Sequence, residues 1–198
     1  MLLGEHTLFR LVKFLFDLGF YEMKNYCNII LFLILPLMFS KNALAQDQCN
    51  IENIINLSVF RKNDYKLFNY MCSSDEGLYL KNYIIDKKTK IFLNEYVDFA
   101  AKESPKLLAV SIYKSKNKKP PLIITINSSY YCCTPQLEGH MYKVNLYQAD
   151  KVNSTIVLKD LTNILGENTD GFEGIAEGRV HYNLKNISSI KKWLDKNY

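Results

Sequence analysis

From residue 50 onward the spacing of apolar residues changes several times. Ile51, Ile54, Ile55 and Val59 recur at helical spacing. Asp64 precedes a second set, Tyr65, Phe68 and Met71, and is placed to cap it, so residues 50–72 are expected to form a broken pair of helices. The pattern then shortens to strands. Leu78–Ile85 is rich in Tyr and Ile, and Asp86-Lys87-Lys88 makes a turn into Thr89–Asn94. Glu95–Lys102 fits a short helix or a continuing strand. Leu107–Tyr113 and Leu122–Asn127 read as a hairpin across a Lys- and Pro-rich loop. Met141–Tyr147 alternates as a half-buried strand should, and Thr155–Leu158 is another short strand.

Asp160 is expected to cap a short helix, Leu161–Leu165, stopped by Gly166. Residues 166–178 read as an irregular loop, punctuated by Gly166, Gly171, Gly174 and Gly178. Arg179–Leu184 is the expected last strand. Asn186 is placed to cap a final helix lined by Ile187, Ile190 and Leu194, with Lys191, Lys192 and Lys196 toward its C-terminal end, where cations complement the helix dipole. The fold class expected from this order is α+β: an antiparallel sheet of about six strands, N-terminal helices and a C-terminal helix packed on it, stapled by disulfides. The connections are too short for the crossover helices of a parallel sheet.

The first 45 residues carry a different pattern. A short basic segment at Met23-Lys24-Asn25 precedes an apolar run from Ile29 to Phe39, and Ala43-Leu44-Ala45 supplies small residues before Gln46. That order is the secretory signal, with cleavage expected after Ala45. The apolar run is shorter than the ~20 residues a membrane span needs and contains Pro36, so no stable membrane insertion is expected after cleavage. Residues 1–22 place Leu8, Leu11, Phe14, Leu15 and Leu18 at helical spacing. They read as an over-extended leader, with Met23 the preferred start, or as an amphipathic surface helix. The expected organisation is a leader over 1–45 and one exported domain over 46–198, periplasmic or secreted.

Export changes the meaning of the cysteines. Cys27 lies in the leader, and the remaining four, Cys49, Cys72, Cys132 and Cys133, form an even set suited to disulfides. Adjacent cysteines on a strand point to opposite faces. Cys132 and Cys133 are therefore expected to take separate partners, Cys49 and Cys72 in some order. The main alternative pairs Cys49 with Cys72 and leaves a bond between neighbours or two free thiols. Zinc is disfavoured, because no C-x-x-C pair is present and only His140 and His181 remain after the leader. No cofactor is expected.

Charge narrows the partners. The chain has 25 basic and 20 acidic residues; without the leader's four basic and three acidic ones, 21 and 17 remain. That excess is too small to argue nucleic-acid binding. The chain lacks a nucleophile elbow, an H-E-x-x-H pair, a phosphate loop and a dinucleotide fingerprint. Two segments concentrate the remaining chemistry. Ser128–His140 holds Tyr130, Tyr131, the two adjacent cysteines and His140, a thiol nucleophile with a base if one cysteine stayed reduced. Gly166–Gly178 holds Asp170, Glu173 and Glu177, which offer oxygen ligands for calcium though not at EF-hand spacing, a carboxylate pair for glycoside cleavage, or a plug for a basic or polar cleft in another protein.

Tyrosine is abundant, at 14 of 198 residues, as it is where proteins meet. Exported, small, disulfide-bearing, Tyr-rich and poor in catalytic motifs is the character of inhibitors and immunity proteins. The expected partner is another protein, a toxin or hydrolase of the cell envelope, met by Tyr130, Tyr131, His140, Asp170, Glu173 and Glu177. The alternative is a small envelope hydrolase acting on peptidoglycan or lipid, with His140 or Glu173 in acid–base roles.

Overall fold

The chain from Gln48 is built of strands, not of a sheet preceded by helices. The computed structural model describes residues 48–86, 89–134 and 136–198; the expected leader, the cleavage site expected after Ala45, and Cys27 lie outside them. β1 (Gln48–Leu57), β2 (Tyr65–Ser74), β3 (Gly77–Ile85) and β4 (Lys90–Tyr96) form a four-stranded antiparallel sheet in that order. The second sheet has six strands. β5 (Lys106–Tyr113), β6 (Leu122–Thr134) and β7 (Leu137–Val152) lie side by side. The first half of β7 pairs with β9 (Asp170–Ala176), and its second half pairs with β8 (Thr155–Asp160). β10 (Arg179–Val180) adds to β9. Two short helical segments complete the described part: a 3₁₀ segment over Thr162–Asn168 and α1 (Ile187–Asn197). No helix among the described residues is long and apolar enough to cross a membrane.

The expected α+β fold with N-terminal helices is therefore corrected to two antiparallel sheets, and the reason is local. β1 and β2 pair from Gln48↔Ser73 to Leu57↔Tyr65, with a bulge between Ile51 and Asn53. The extra residue places Ile51 and Ile54 on one face although they are three apart. A bulged strand thus imitates helical spacing. Asp64 does cap, but backward: its carboxylate accepts the N–H groups of Val59, Phe60 and Arg61, each at 2.8 Å, and closes the β1–β2 loop. Arg179–Leu184 contributes only two residues to a strand. At the C-terminus the expectation holds: Asn186 Oδ1 accepts the Ser189 N–H at 2.9 Å, and Ile190 and Leu194 are buried.

Alternation assigns the faces. Tyr65, Leu67, Ile84 and Leu93 pack against Ile123, Tyr147, Ala149 and Ile156 in one cluster between the sheets. Leu122, Ile124, Ile126, Val144 and Leu146 point the other way, against Leu165, Leu184, Ile190 and Leu194. β6 is thus buried on both faces from Leu122 to Ser129, which explains its unbroken Leu-Ile-Ile-Thr-Ile run.

One seam between the sheets is polar. Asn69, Asn82 and Asn94 stand in register on β2, β3 and β4. Asn69 Nδ2 donates to Asn82 Oδ1 at 3.0 Å, and Asn82 Nδ2 donates to Asn94 Oδ1 at 2.8 Å. Asn94 Nδ2 reaches the second sheet, donating to the Tyr147 hydroxyl at 3.0 Å and facing Thr125 Oγ1 at 3.3 Å. Burial pushes the Tyr147 phenol above its ordinary pKa, so it stays protonated.

The expected disulfide connectivity is also corrected. Cys49 bonds Cys72, its directly opposed partner across β1 and β2, with Cα atoms 4.0 Å apart. Cys132 bonds Cys133. The alternation argument fails there because the β6–β7 register breaks between Tyr131 and Thr134 and Cys133 has φ +80°. The chain-entropy account assigns about 3 kcal/mol to the Cys49–Cys72 loop. A bond between neighbours closes almost no loop and adds little.

The amide seam makes a prediction. Asn94→Ala strands the Asn82 donor in the core and removes the link to Tyr147, so urea unfolding is expected to show a loss of about 2–4 kcal/mol. Asn53→Ala, opposite Asn69 but on the exposed edge strand, is expected to change stability by less than about 0.5 kcal/mol.

Candidate functional site

The two segments singled out in the sequence become neighbouring strands. Residues 128–134 end β6, residues 137–140 begin β7, and the glycine-punctuated loop is β9 with its hairpin turn into β10. Tyr130 lies opposite His140, and His140 lies opposite Glu173. Directly opposed residues share a face, so Tyr130, His140 and Glu173 form one row across three strands. The next row outward pairs Glu138 with Ile175. Glu177 sits in the β9–β10 turn, and its N–H bonds the Gln136 carbonyl at 3.1 Å, joining that turn to the β6–β7 turn.

Glycines permit this approach. A Cβ on Gly139 would lie 2.3 Å from the Glu173 carbonyl oxygen, and one on Gly174 would lie 2.2 Å from that of Glu138. Gly171 has a different reason: the Tyr182 ring covers it, and a Cβ there would sit 2.2 Å from the ring. The loop reading of 166–178 fails because these glycines serve strand contacts as well as turns.

A run of rings on the same face connects the row to the core. Tyr130 and His140 have centroids 5.0 Å apart, His140 and Tyr142 6.1 Å, and Tyr142 and Tyr182 5.9 Å. Tyr142 and Tyr182 belong to the core beneath α1. Glu173 fixes the other flank. Its Oε1 lies 2.8 Å from Lys185 Nζ and 3.2 Å from His181 Nδ1, while its Oε2 accepts the Tyr182 N–H at 2.9 Å. The Lys185 ammonium, then the Tyr182 N–H and His181, pull the Glu173 carboxyl down to about pH 2. Glu173 thus ties the segment after β10 to the sheet. His181 was expected in the last strand; it lies just beyond β10 with its side chain 61% exposed.

Other expected site residues do not join this row. Tyr131 points to the opposite face, where its hydroxyl donates to Asp98 Oδ1 at 2.6 Å; burial and that carboxylate raise its pKa. Asp170 opposes Lys143, an odd number of residues from Glu173, and so lies on the face away from it. Asp170, Glu173 and Glu177 therefore do not converge. No group of three or more His, Cys, Asp or Glu placed to hold a metal occurs among the described residues. Cys132 and Cys133 are bonded to each other, which removes the thiol nucleophile in this state. His140 Nδ1 instead lies 3.4 Å from Ser128 Oγ, and Ser128 is only 3% exposed.

Sequence reading missed Glu138 and Ile175. Ile175 is 50% exposed, and only the β7–β9 register reveals that it stands beside the Tyr130–His140–Glu173 row. No protein-family model, curated protein or solved structure matches the chain.

The Glu173 network carries a pH dependence. A carboxylate whose folded pKa lies below its ordinary value of about 4.3 contributes stability above that value and loses it as pH falls toward 2. Glu173→Gln is expected to flatten the fall in melting temperature between about pH 4.5 and 2 that the native protein shows. Parallel curves for the two proteins would mean that the carboxylate is not held as described.

Proposed function

We propose that this protein is an exported binding protein, periplasmic or secreted, that acts as an inhibitor or immunity protein against a toxin or hydrolase of the cell envelope by occluding its cleft. One observation supports this reading most. Two segments separated in sequence by β8 and the 3₁₀ segment form a single continuous surface at the ends of three paired strands. There Tyr130, His140 and Ile175 offer aromatic and apolar contact, and Glu138 and Glu177 surround them. A surface built on paired strands loses little conformational freedom on binding, which favours affinity. Aromatic residues at its centre suit the role of anchors. The disulfides suit an oxidising compartment.

A second reading, a small envelope hydrolase, draws on the contact between Ser128 and His140 with Glu173 one strand away. The near-complete burial of Ser128 weighs against it as a nucleophile, and Glu173 is already engaged by Lys185 and His181.

The test is affinity measurement against the envelope protein retained by the immobilised, oxidised protein. Tyr130→Ala and Ile175→Asp are each expected to weaken binding at least tenfold, about 1.4 kcal/mol, with melting temperatures within a few degrees of native. Tyr131→Ala, on the opposite face, is expected to leave affinity within about twofold. Equal affinity in all three variants would refute the surface. Turnover of peptidoglycan or lipid abolished by His140→Ala would establish the hydrolase instead.

A further inference from the structure

The outer face of the four-stranded sheet, turned away from the six-stranded one, has its own organisation. Its central row is Ile54–Phe68–Tyr83–Phe92, and the row beside it is Ile51–Tyr70–Lys81–Glu95. Tyr70 and Tyr83 meet edge to face at 5.6 Å, as do Tyr83 and Phe92. Ile51, Ile54 and Phe92 are more than half exposed. The six-stranded sheet, by contrast, carries α1 and the 3₁₀ segment on its outer face.

Charge is separated along this face. At one end, Lys66 and Lys90 flank the aromatic rows, with Arg61 and Lys62 in the adjoining loop. The carboxylates at that end are engaged within their own loops: Asp64 accepts three backbone N–H groups, and Asp86 accepts the N–H and hydroxyl of Thr89. At the other end, an open cleft of about 580 Å³ is lined by Asp75, Glu76 and Glu95 with Tyr79 and Phe99. That cleft already accommodates an ammonium group at its edge. Lys81 Nζ lies 5.0 Å from the centre of the Tyr79 ring and 3.6 Å from Glu95 Oε2.

We propose that this face binds a second copy of the same chain. A two-fold axis running across the strands lays β4 on its counterpart in the reverse direction. It sets the basic end of each copy on the acidic cleft of the other and stacks the aromatic rows at the centre. Such a surface is self-complementary, as an isologous dimer requires. The opposite choice of axis would set lysines against lysines. Lys90 is poised for the contact: its ammonium sits 4.1 Å from the Tyr83 ring centre and 4.7 Å from that of Tyr70, on the exposed side of the sheet. Four strands about 4.8 Å apart and about nine residues long give a face of roughly 600 Å² per copy. That is near the lower limit for specific interfaces, the range of weak, reversible contacts. The Tyr130–His140–Glu173 row lies on the far side of the other sheet. Dimerisation therefore leaves two such rows exposed and pointing apart.

Sedimentation equilibrium of the purified protein tests the dimer. A monomer–dimer equilibrium in the micromolar range is expected, weakened at least fivefold between 50 and 500 mM salt. Phe92→Lys, at an exposed position, is expected to weaken it more than tenfold without changing the circular dichroism spectrum. Lys90→Glu is expected to weaken it, and Lys90→Glu combined with Glu76→Lys to restore it, because both symmetry-related contacts are then reversed together. A monomer throughout the accessible concentration range would overturn the proposal. So would a dimer indifferent to salt and to Phe92→Lys.

Discussion

The chain of amide hydrogen bonds from Asn69 through Asn82 to Asn94, and from there to Tyr147, joins the two sheets. Apolar contacts between sheets are non-directional. Amide hydrogen bonds buried in a core are directional, and a slip of one residue leaves donors and acceptors without partners. The seam therefore fixes which residues of β4 face which residues of β6 and β7. It carries a cost of its own: Asn69 Oδ1 and both polar atoms of Asn127 are buried without a hydrogen-bond partner. Each such atom costs on the order of 1–3 kcal/mol. Leu67, Leu80, Ile84 and Ile123, all fully buried, supply the apolar burial that offsets it.

Everything at the candidate surface depends on that arrangement. β6 and β7 are held on one face by the other sheet and on the other by α1, so their ends project as a rigid unit. Glu173 then draws in the segment beyond β10 through Lys185, His181 and the Tyr182 N–H. Tyr182 in turn lies over Gly171 and donates its hydroxyl to the Asn168 carbonyl at 2.6 Å. The consequence is a surface whose polar and aromatic groups are positioned before any partner arrives.

The sequence revealed individual strands better than their assembly. The alternation in Met141–Tyr147 and the Tyr- and Ile-rich run at Leu78–Ile85 were readable because they obey period two without interruption. Residues 50–72 were not, since the bulge between Ile51 and Asn53 breaks that period and mimics a helix. β9 was hidden by its glycines, which look like loop residues until their strand contacts at Gly139 and Tyr182 are seen. Tyr130, His140 and Glu173 were identifiable as residue types, yet their alignment is a property of register between segments far apart in sequence. Tyr131 and Asp170 were placed with them because nothing in the sequence states which face a residue takes once a glycine-rich hairpin has formed.

Hydrogen–deuterium exchange on the free protein and on its complex with the retained envelope protein tests the central claim, that binding occurs at the paired ends of β6, β7 and β9. The account predicts slowed exchange confined to residues 128–142 and 170–182, with the four-stranded sheet unchanged at a fixed dimer fraction. Slowed exchange confined to β1–β4, with residues 128–142 and 170–182 unaffected, would contradict it.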